Sequence, residues 1–273
     1  MRTIAHLSDL HFGRVDRELL DPLVAAVEAA KPDVVAISGD LTQRARRGQF
    51  LEAREFLGRL PDPQIVVPGN HDVPLYDVPR RFLAPLRRFR RYITDDPAPF
   101  HRDDEIAVLG LNTARSLTFK GGRINQEQVA LVEERFRDVE SSVLRVVVTH
   151  HPFNLPDAGD EDDLVGRAAM AMRVFANCGV DLLLSGHLHA THAGDTSTRY
   201  EIAGYAALVV QAGTASSTRA RGESNSFNIL RLAPSRIEVD VMRWQAEARA
   251  FECLRTEVFE RAGGAWNSRE PGR

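Results

Sequence analysis

The chain has 273 residues, 43% hydrophobic and 27% charged, with a formal net charge of −3, which reads as an ordinary globular chain with room for one large domain. That balance excludes the strong global basic field of many nucleic-acid binders, and no run reaches the ~18 apolar residues of a membrane span. Cys178 and Cys253 are too few for a disulfide framework.

Residues 3–8 read as a first strand, with Asp9 and His11 at its end. No signal-peptide pattern precedes it, so the expected location is the cytoplasm. A helix is expected over 17–31, where Leu20, Leu23, Val24 and Val27 fall at helical spacing. Val34-Val35-Ala36-Ile37-Ser38 is a continuous apolar run, the pattern of a strand covered on both faces, and it stops at Gly39-Asp40. In a β-α-β opening the parallel strands bring their carboxyl ends to one edge, so Asp9, His11 and Asp40 become neighbours.

A helix near 49–60 leads to a strand at 64–68 and the turn Gly69-Asn70-His71-Asp72. Residues 78–93 are helical in pattern and dense in arginine (Arg80, Arg81, Arg87, Arg88, Arg90, Arg91), either a solvated face or in part a holder of an anionic substrate. The strand at 106–111 ends at Asn112-Thr113, with Arg115 just beyond, and a helix covers 125–138. The strand at 143–149 ends in His150-His151-Pro152. The acidic run Asp160-Glu161-Asp162-Asp163 reads as helix-start charge before a helix at 164–177. The strand at 180–185 then enters Gly186-His187-Leu188-His189.

In the last third, short strands of antiparallel style are expected at 201–202, 207–212, 226–232 and 237–242, then a final helix over 246–262. Phe251, Leu254 and Val258 give that helix an apolar stripe that packs on the core or serves a homodimer face. Residues 1–262 are thus expected to form a single domain, with a loose tail over 263–273.

Five apolar runs therefore end in metal-competent side chains: Asp9 and His11, Asp40, Asn70 and His71, His150, and His187 and His189. Each piece alone is weak. All five in this order resemble the calcineurin-like metallophosphoesterase superfamily, and within it the bacterial class III cyclic-nucleotide phosphodiesterases. Gly39-Asp40-Leu41-Thr42 and Gly69-Asn70-His71-Asp72-Val73-Pro74 are especially similar.

The resemblance implies an α/β fold, a four-layer α/β/β/α sandwich of two mixed β-sheets flanked by helices, with the chain from about 200 completing the second sheet. It implies two metal ions, manganese or iron, with zinc or cobalt as alternatives. One would be held by Asp9, His11, Asp40 and His189, the other by Asp40, Asn70, His150 and His187. The implied reaction is hydrolysis of a cyclic nucleotide or other small phosphodiester by a metal-bridging hydroxide. His71 would give a proton to the leaving oxygen, with Asp72 fixing its tautomer. The His-x-Pro pattern favours His150 over His151 as ligand, leaving His151, Asn112 and Arg115 as substrate-side candidates.

Two departures narrow the class. Where purple acid phosphatases carry a ligand tyrosine this chain has Gln43, and the frequent His-His-Pro-Pro ends here in Phe153. The readings left open are a nuclease, a phospholipid or glycerophosphodiester hydrolase, a phosphomonoesterase, and a metal-free regulatory binding module. The nuclease has only the arginine-dense segment in its favour, so the expected partner is a small phosphodiester.

Overall fold

The computed structural model describes residues 1–117, 120–156, 160–197, 199–218, 224–263 and 265–269. Strands β1 (Arg2–Leu7), β2 (Val34–Ser38) and β3 (Gln64–Val67) are parallel neighbours. Alternate residues of β2 face opposite ways, as the strand's two-residue period demands. Val35 and Ile37 lie under helices α1 (Leu20–Ala30) and α2 (Arg47–Leu57), among Leu23, Val27 and Phe50. Val34 and Ala36 face the other way, toward Val108, Val146 and Leu184 of a second sheet. Burial on both faces is why no polar residue interrupts the run.

Two short helices, α3 (Val78–Leu83) and α4 (Arg87–Tyr92), replace the single helix expected over 78–93. Pro85 between them cannot donate the backbone hydrogen bond a continuous helix needs there.

The second sheet contains β4 (Phe100–Arg102), β5 (Ile106–Gly110), β6 (Leu144–Val148), β7 (Leu182–Ser185), β8 (His192–Asp195) and β9 (Leu208–Gln211), in the order β4-β5-β6-β7-β9-β8. Its four central strands are parallel and its edge strands antiparallel. Val147 and Leu183 point outward beneath α5 (Gln126–Phe136) and α6 (Ala168–Asn177), while Val146, Val148 and Leu184 fill the space between the sheets. Helices, sheet, sheet, helices: this is the four-layer α/β/β/α sandwich that the sequence leads one to expect.

The carboxyl-terminal third corrects several expectations. Strands β10 (Ser226–Ala233), β11 (Arg236–Gln245), β12 (Ala250–Ala262) and β13 (Ala265–Arg269) extend the first sheet as an antiparallel meander, giving the order β13-β12-β11-β10-β1-β2-β3. Only β8 and β9 of this region join the second sheet, and residues 201–202 form no strand.

The helix expected over 246–262 is instead a hairpin turn followed by β12. Its alanines, glutamates and leucine are good helix formers, but propensity differences amount to a few tenths of a kcal/mol per residue. Burial of Phe251 and Phe259 contributes ~1.5–3 kcal/mol each, and ladder pairing with β11 satisfies the backbone. The apparent stripe through Leu254 arises at a bulge, where Cys253 pairs with Met242 and Arg255 with Val241, so the faces shift by one. The tail expected to be loose contributes β13, whose Trp266 is 2% exposed in the inter-sheet core with the Arg261 guanidinium 4.7 Å above its ring. Among the described residues no helix is long and apolar enough to cross a membrane.

Candidate metal centre

The carboxyl ends of β1, β2, β3, β6 and β7 meet where the two sheets face each other. Backbone pairing of β1 with β2 continues past the strands, Asp9 N donating to the Gly39 carbonyl at 3.1 Å and His11 N to that of Asp40 at 2.9 Å. Asp9, His11, Asp40, His187 and His189 all have positive φ, five of the nine non-glycine residues so recorded among those described. Each such residue costs ~1–3 kcal/mol, tolerated only where surrounding structure enforces it. Glycines allow the close approaches: a Cβ at Gly69 would lie 2.1 Å from Asp40 Oδ1, and one at Gly186 1.8 Å from the Ser8 hydroxyl.

One half of the centre is Asp9, His11 and His189. Asp9 Oδ2 accepts the Ser8 hydroxyl at 2.6 Å and the His187 backbone N–H at 3.0 Å. Its other oxygen, Oδ1, has no hydrogen-bond partner and lies 3.4 Å from His11 Nε2 and 3.5 Å from His189 Nε2. His11 Nε2 is also buried without a hydrogen-bond partner. His189 is turned by the Thr214 hydroxyl at its Nδ1.

The other half is His150, His187 and Asn70. His150 Nδ1 is 2.8 Å from the Ser38 carbonyl, which can only accept, so in the neutral ring the lone pair sits on Nε2. His187 Nε2 is 3.1 Å from Asp163 Oδ1, so its lone pair sits on Nδ1. Those two lone pairs face each other at 3.3 Å, and Asn70 Oδ1, another acceptor, is 3.0 Å from His150 Nε2. Acceptor atoms that converge in this way are what a cation satisfies. Asp40 stands between the halves, Oδ2 3.7 Å from His11 Nε2 and Oδ1 3.5 Å from His150 Nε2. The donor set therefore fits two cations sharing Asp40, and its mixed nitrogen and oxygen character suits manganese, iron, zinc or cobalt better than calcium or magnesium.

The electrostatics agree. Burial alone would raise the Asp9 carboxyl, but His189, His11 and His150 together hold it well below the usual carboxylate range. Burial likewise opposes ionisation of Asp40, and the histidines at 150, 71 and 11 outweigh it. Both stay anionic.

Other sequence candidates divide. His71 lies at the centre's edge, its ring 5.0 Å from that of His11 and its backbone N–H donating to Asp40 Oδ1 at 2.8 Å. Its Nδ1 is 3.0 Å from the Gln43 carbonyl, so that carbonyl, and not Asp72, fixes the ring's tautomer. The Asp72 carboxylate instead accepts from Leu41 N, Thr42 N, the Thr42 hydroxyl and Gly69 N at 2.9–3.1 Å, clamping the β2 turn to the β3 turn. Burial, with the charge of Asp40, pushes it up to about 6.

The three substrate-side candidates differ. His151 is wholly buried, Nδ1 taking the Thr113 hydroxyl at 2.8 Å and Nε2 donating to the Lys120 carbonyl at 2.9 Å, so it fastens the loop that carries Lys120, within 4.8 Å of the ligand atoms of His150 and His187. Burial holds that ring neutral, helped by His150 and His187. The Arg115 guanidinium spends three of its five N–H donors on the carbonyls of Asn112 and Ala114 and the side chain of Gln128. Asn112 lines a cavity of about 810 Å³ beside the centre, roofed by residues 83–97, while its Oδ1 accepts from Ala114 N at 2.9 Å.

His6 is buried within β1, with Nε2 2.9 Å from the Ser38 hydroxyl. Arg81 is also buried, spent on the Ser116 and Pro74 carbonyls.

Asp163 is the residue that sequence reasoning missed. It is 5% exposed, grips His187, and is itself 2.7 Å from Lys120 Nζ. The bond to His187, with Lys120 adding to it, lowers its carboxyl to about 2. It sits in an acidic run whose composition suggests only a helix start, and no sequence spacing ties it to His187.

Residues 2–191 match a family model described as calcineurin-like phosphoesterase. A glycerophosphodiester phosphodiesterase, GpdQ, of Enterobacter lignolyticus (strain SCF1) is 26% identical over 222 residues, spanning 73% of this chain and 78% of that protein. The structure of PhoD superposes with a TM-score of 0.70 at 12% identity, covering all of this chain and 72% of PhoD. A dimetal phosphatase from Danio rerio gives 0.63 at 15% identity over 88% of this chain and 95% of its own. At such identities these structural likenesses speak for the fold alone.

Proposed function

The chain belongs to the calcineurin-like phosphoesterase family, and on that premise we propose that it is a dinuclear metal-dependent phosphodiesterase acting on a small diester of the glycerophosphodiester kind. The observation that carries the reading is the convergence of carboxylate, imidazole and amide ligand atoms on two sides of Asp40. Asp9, His11, Asp40 and His189 would hold one ion, and Asp40, Asn70, His150 and His187 the other. Bound ions of this kind lower the pKa of water toward neutrality and neutralise charge developing on a phosphoryl group.

The remaining work falls to the chain. With Nδ1–H committed to the Gln43 carbonyl, His71 can present a proton only from Nε2 as the imidazolium, and it stands beside Asp40 where a leaving oxygen could take it. Asp163 keeps the His187 lone pair aimed inward. The Asp72 clamp holds the turns that carry Asp40 and Asn70 at one separation.

Preference for a diester rests on the likeness to a protein named for glycerophosphodiester hydrolysis. A cyclic nucleotide is the second reading, favoured by the wording of the Gly69–Pro74 segment.

The test is hydrolysis of bis(p-nitrophenyl) phosphate against p-nitrophenyl phosphate by chelator-stripped, manganese-reloaded protein, followed by glycerophosphocholine and cyclic AMP. Metal-dependent cleavage favouring the diester is expected. Preference for the monoester would make the protein a phosphatase, and no turnover despite bound metal would return it to a binding role.

A further inference from the structure

Seven large hydrophobic side chains are strongly exposed among the described residues, and five of them, Tyr76, Val78, Phe82, Leu83 and Leu117, belong to one rim. Four sit in or beside α3. The fifth is brought to it by Arg81, whose Nε donates to the Ser116 carbonyl at 2.7 Å while NH1 donates to that of Pro74 at 3.0 Å. This rim borders the metal centre, since Pro74 lies only two residues beyond the Asn70–Asp72 turn. Leu83 is 85% exposed and Leu117 83%, so the patch is not simply the edge of a core.

Charge surrounds it. Arg87, Arg90 and Arg91 of α4 are exposed, and the Arg44 guanidinium lies 5.5 Å from the Tyr76 ring centroid. Residues 76–93 carry six arginines against one acid, Asp77, in a chain whose formal net charge is −3. Asp95 and Asp96 follow the segment, so the exposed positive charge beside the rim comes from Arg87, Arg90 and Arg91 of α4.

We propose that this rim docks the protein on an anionic lipid surface, with Tyr76, Phe82, Leu83 and Leu117 entering the headgroup boundary and the α4 arginines meeting lipid phosphates. Apolar side chains beside arginine are what an anionic interface selects, each arginine near it strengthening binding roughly fivefold. A second copy is the poorer occupant. In a two-fold pair the same patch meets itself and the arginines face one another. The proposal requires no turnover and stands apart from the metal reading.

The test is co-sedimentation of the metal-loaded full chain with phosphatidylcholine vesicles and with mixed phosphatidylcholine–phosphatidylserine vesicles, at low and high salt. Binding is expected to the mixed vesicles only and to weaken with salt. Joint Arg87→Glu, Arg90→Glu and Arg91→Glu should weaken it by at least ~100-fold. Joint Phe82→Ser and Leu83→Ser should weaken it by ~10-fold or more. Both variants should keep the parent's melting temperature and circular dichroism spectrum, and if the serine pair is poorly soluble the arginine triple decides. Equal binding to neutral and anionic vesicles, no binding to either, or insensitivity to the arginine reversal would overturn the proposal. So would a concentration-dependent dimer in sedimentation velocity that the serine pair abolishes, since the rim would then belong to a second copy.

Discussion

Replacing Asp163 by alanine isolates one contribution to the proposed centre. The carboxylate is 3.1 Å from His187 Nε2 and 5% exposed, and the Lys120 ammonium lies 2.7 Å from it on the other side. Without it His187 loses the acceptor that fixes its tautomer, and either ring nitrogen can then carry the proton. Loss of such an outer partner typically weakens metal binding 10- to 100-fold, ~1.4–2.7 kcal/mol. The loss should fall on the ion held with His150 and Asn70, because Asp163 bonds His187 on that side of Asp40. The ion pair with Lys120 is half-exposed and contributes little to stability by itself, so the metal-free fold should change only slightly. The assay is titration of metal into stripped protein against a competing chelator, with elemental analysis of ions per chain. Asp163→Ala should show one weakened and one unchanged site, and Asp163→Asn, which keeps an acceptor oxygen, a smaller defect. Two sites with parental affinity would refute the reasoning.

Three further outcomes follow from the geometry. His71→Ala should retain metal but lose turnover ~10²- to 10⁴-fold on a diester with a poor leaving group and far less on an activated nitrophenyl ester; equal losses would count against the proton-donor role. Asp72→Ala leaves the Leu41, Thr42 and Gly69 backbone donors without their buried acceptor, and at ~1–3 kcal/mol per unsatisfied group should lower stability by ~3–9 kcal/mol, with Asp72→Asn milder; an unchanged melting temperature would show that the clamp is dispensable. Gly69→Ala places a methyl group 2.1 Å from Asp40 Oδ1 and 2.4 Å from Asp40 N, so metal content should drop more than helix content by circular dichroism; full occupancy would mean the turn can yield.

What could be read without coordinates was whatever local chemistry encodes. The apolar run before Asp40 announces a strand buried on both faces, and an abrupt end in glycine plus ligand announces a site. Five such ends in one order carry the resemblance that implies the fold, and the side chains they end in do converge. Interactions made across the chain were not legible. Residues 246–262 mimic a helix because Phe251, Leu254 and Val258 fall at helical spacing, and only the ladder with β11 and its bulge decide otherwise. Asp72 adjoins His71 in sequence, yet a turn sends its carboxylate back to Leu41 and Thr42. Arg115 has the right charge in the right place but spends its donors on nearby carbonyls. Asp163 reaches His187 from a separate loop, and nothing in an acidic run says which of its members turns inward.

The central claim is two ions sharing Asp40, and elemental analysis of reloaded parent beside Asp40→Ala tests it most directly. The account predicts two ions per chain in the parent and fewer than one in the variant, with diesterase activity lost in step. A parent that cleaves diesters with no bound metal, or a variant that keeps both ions, would contradict it.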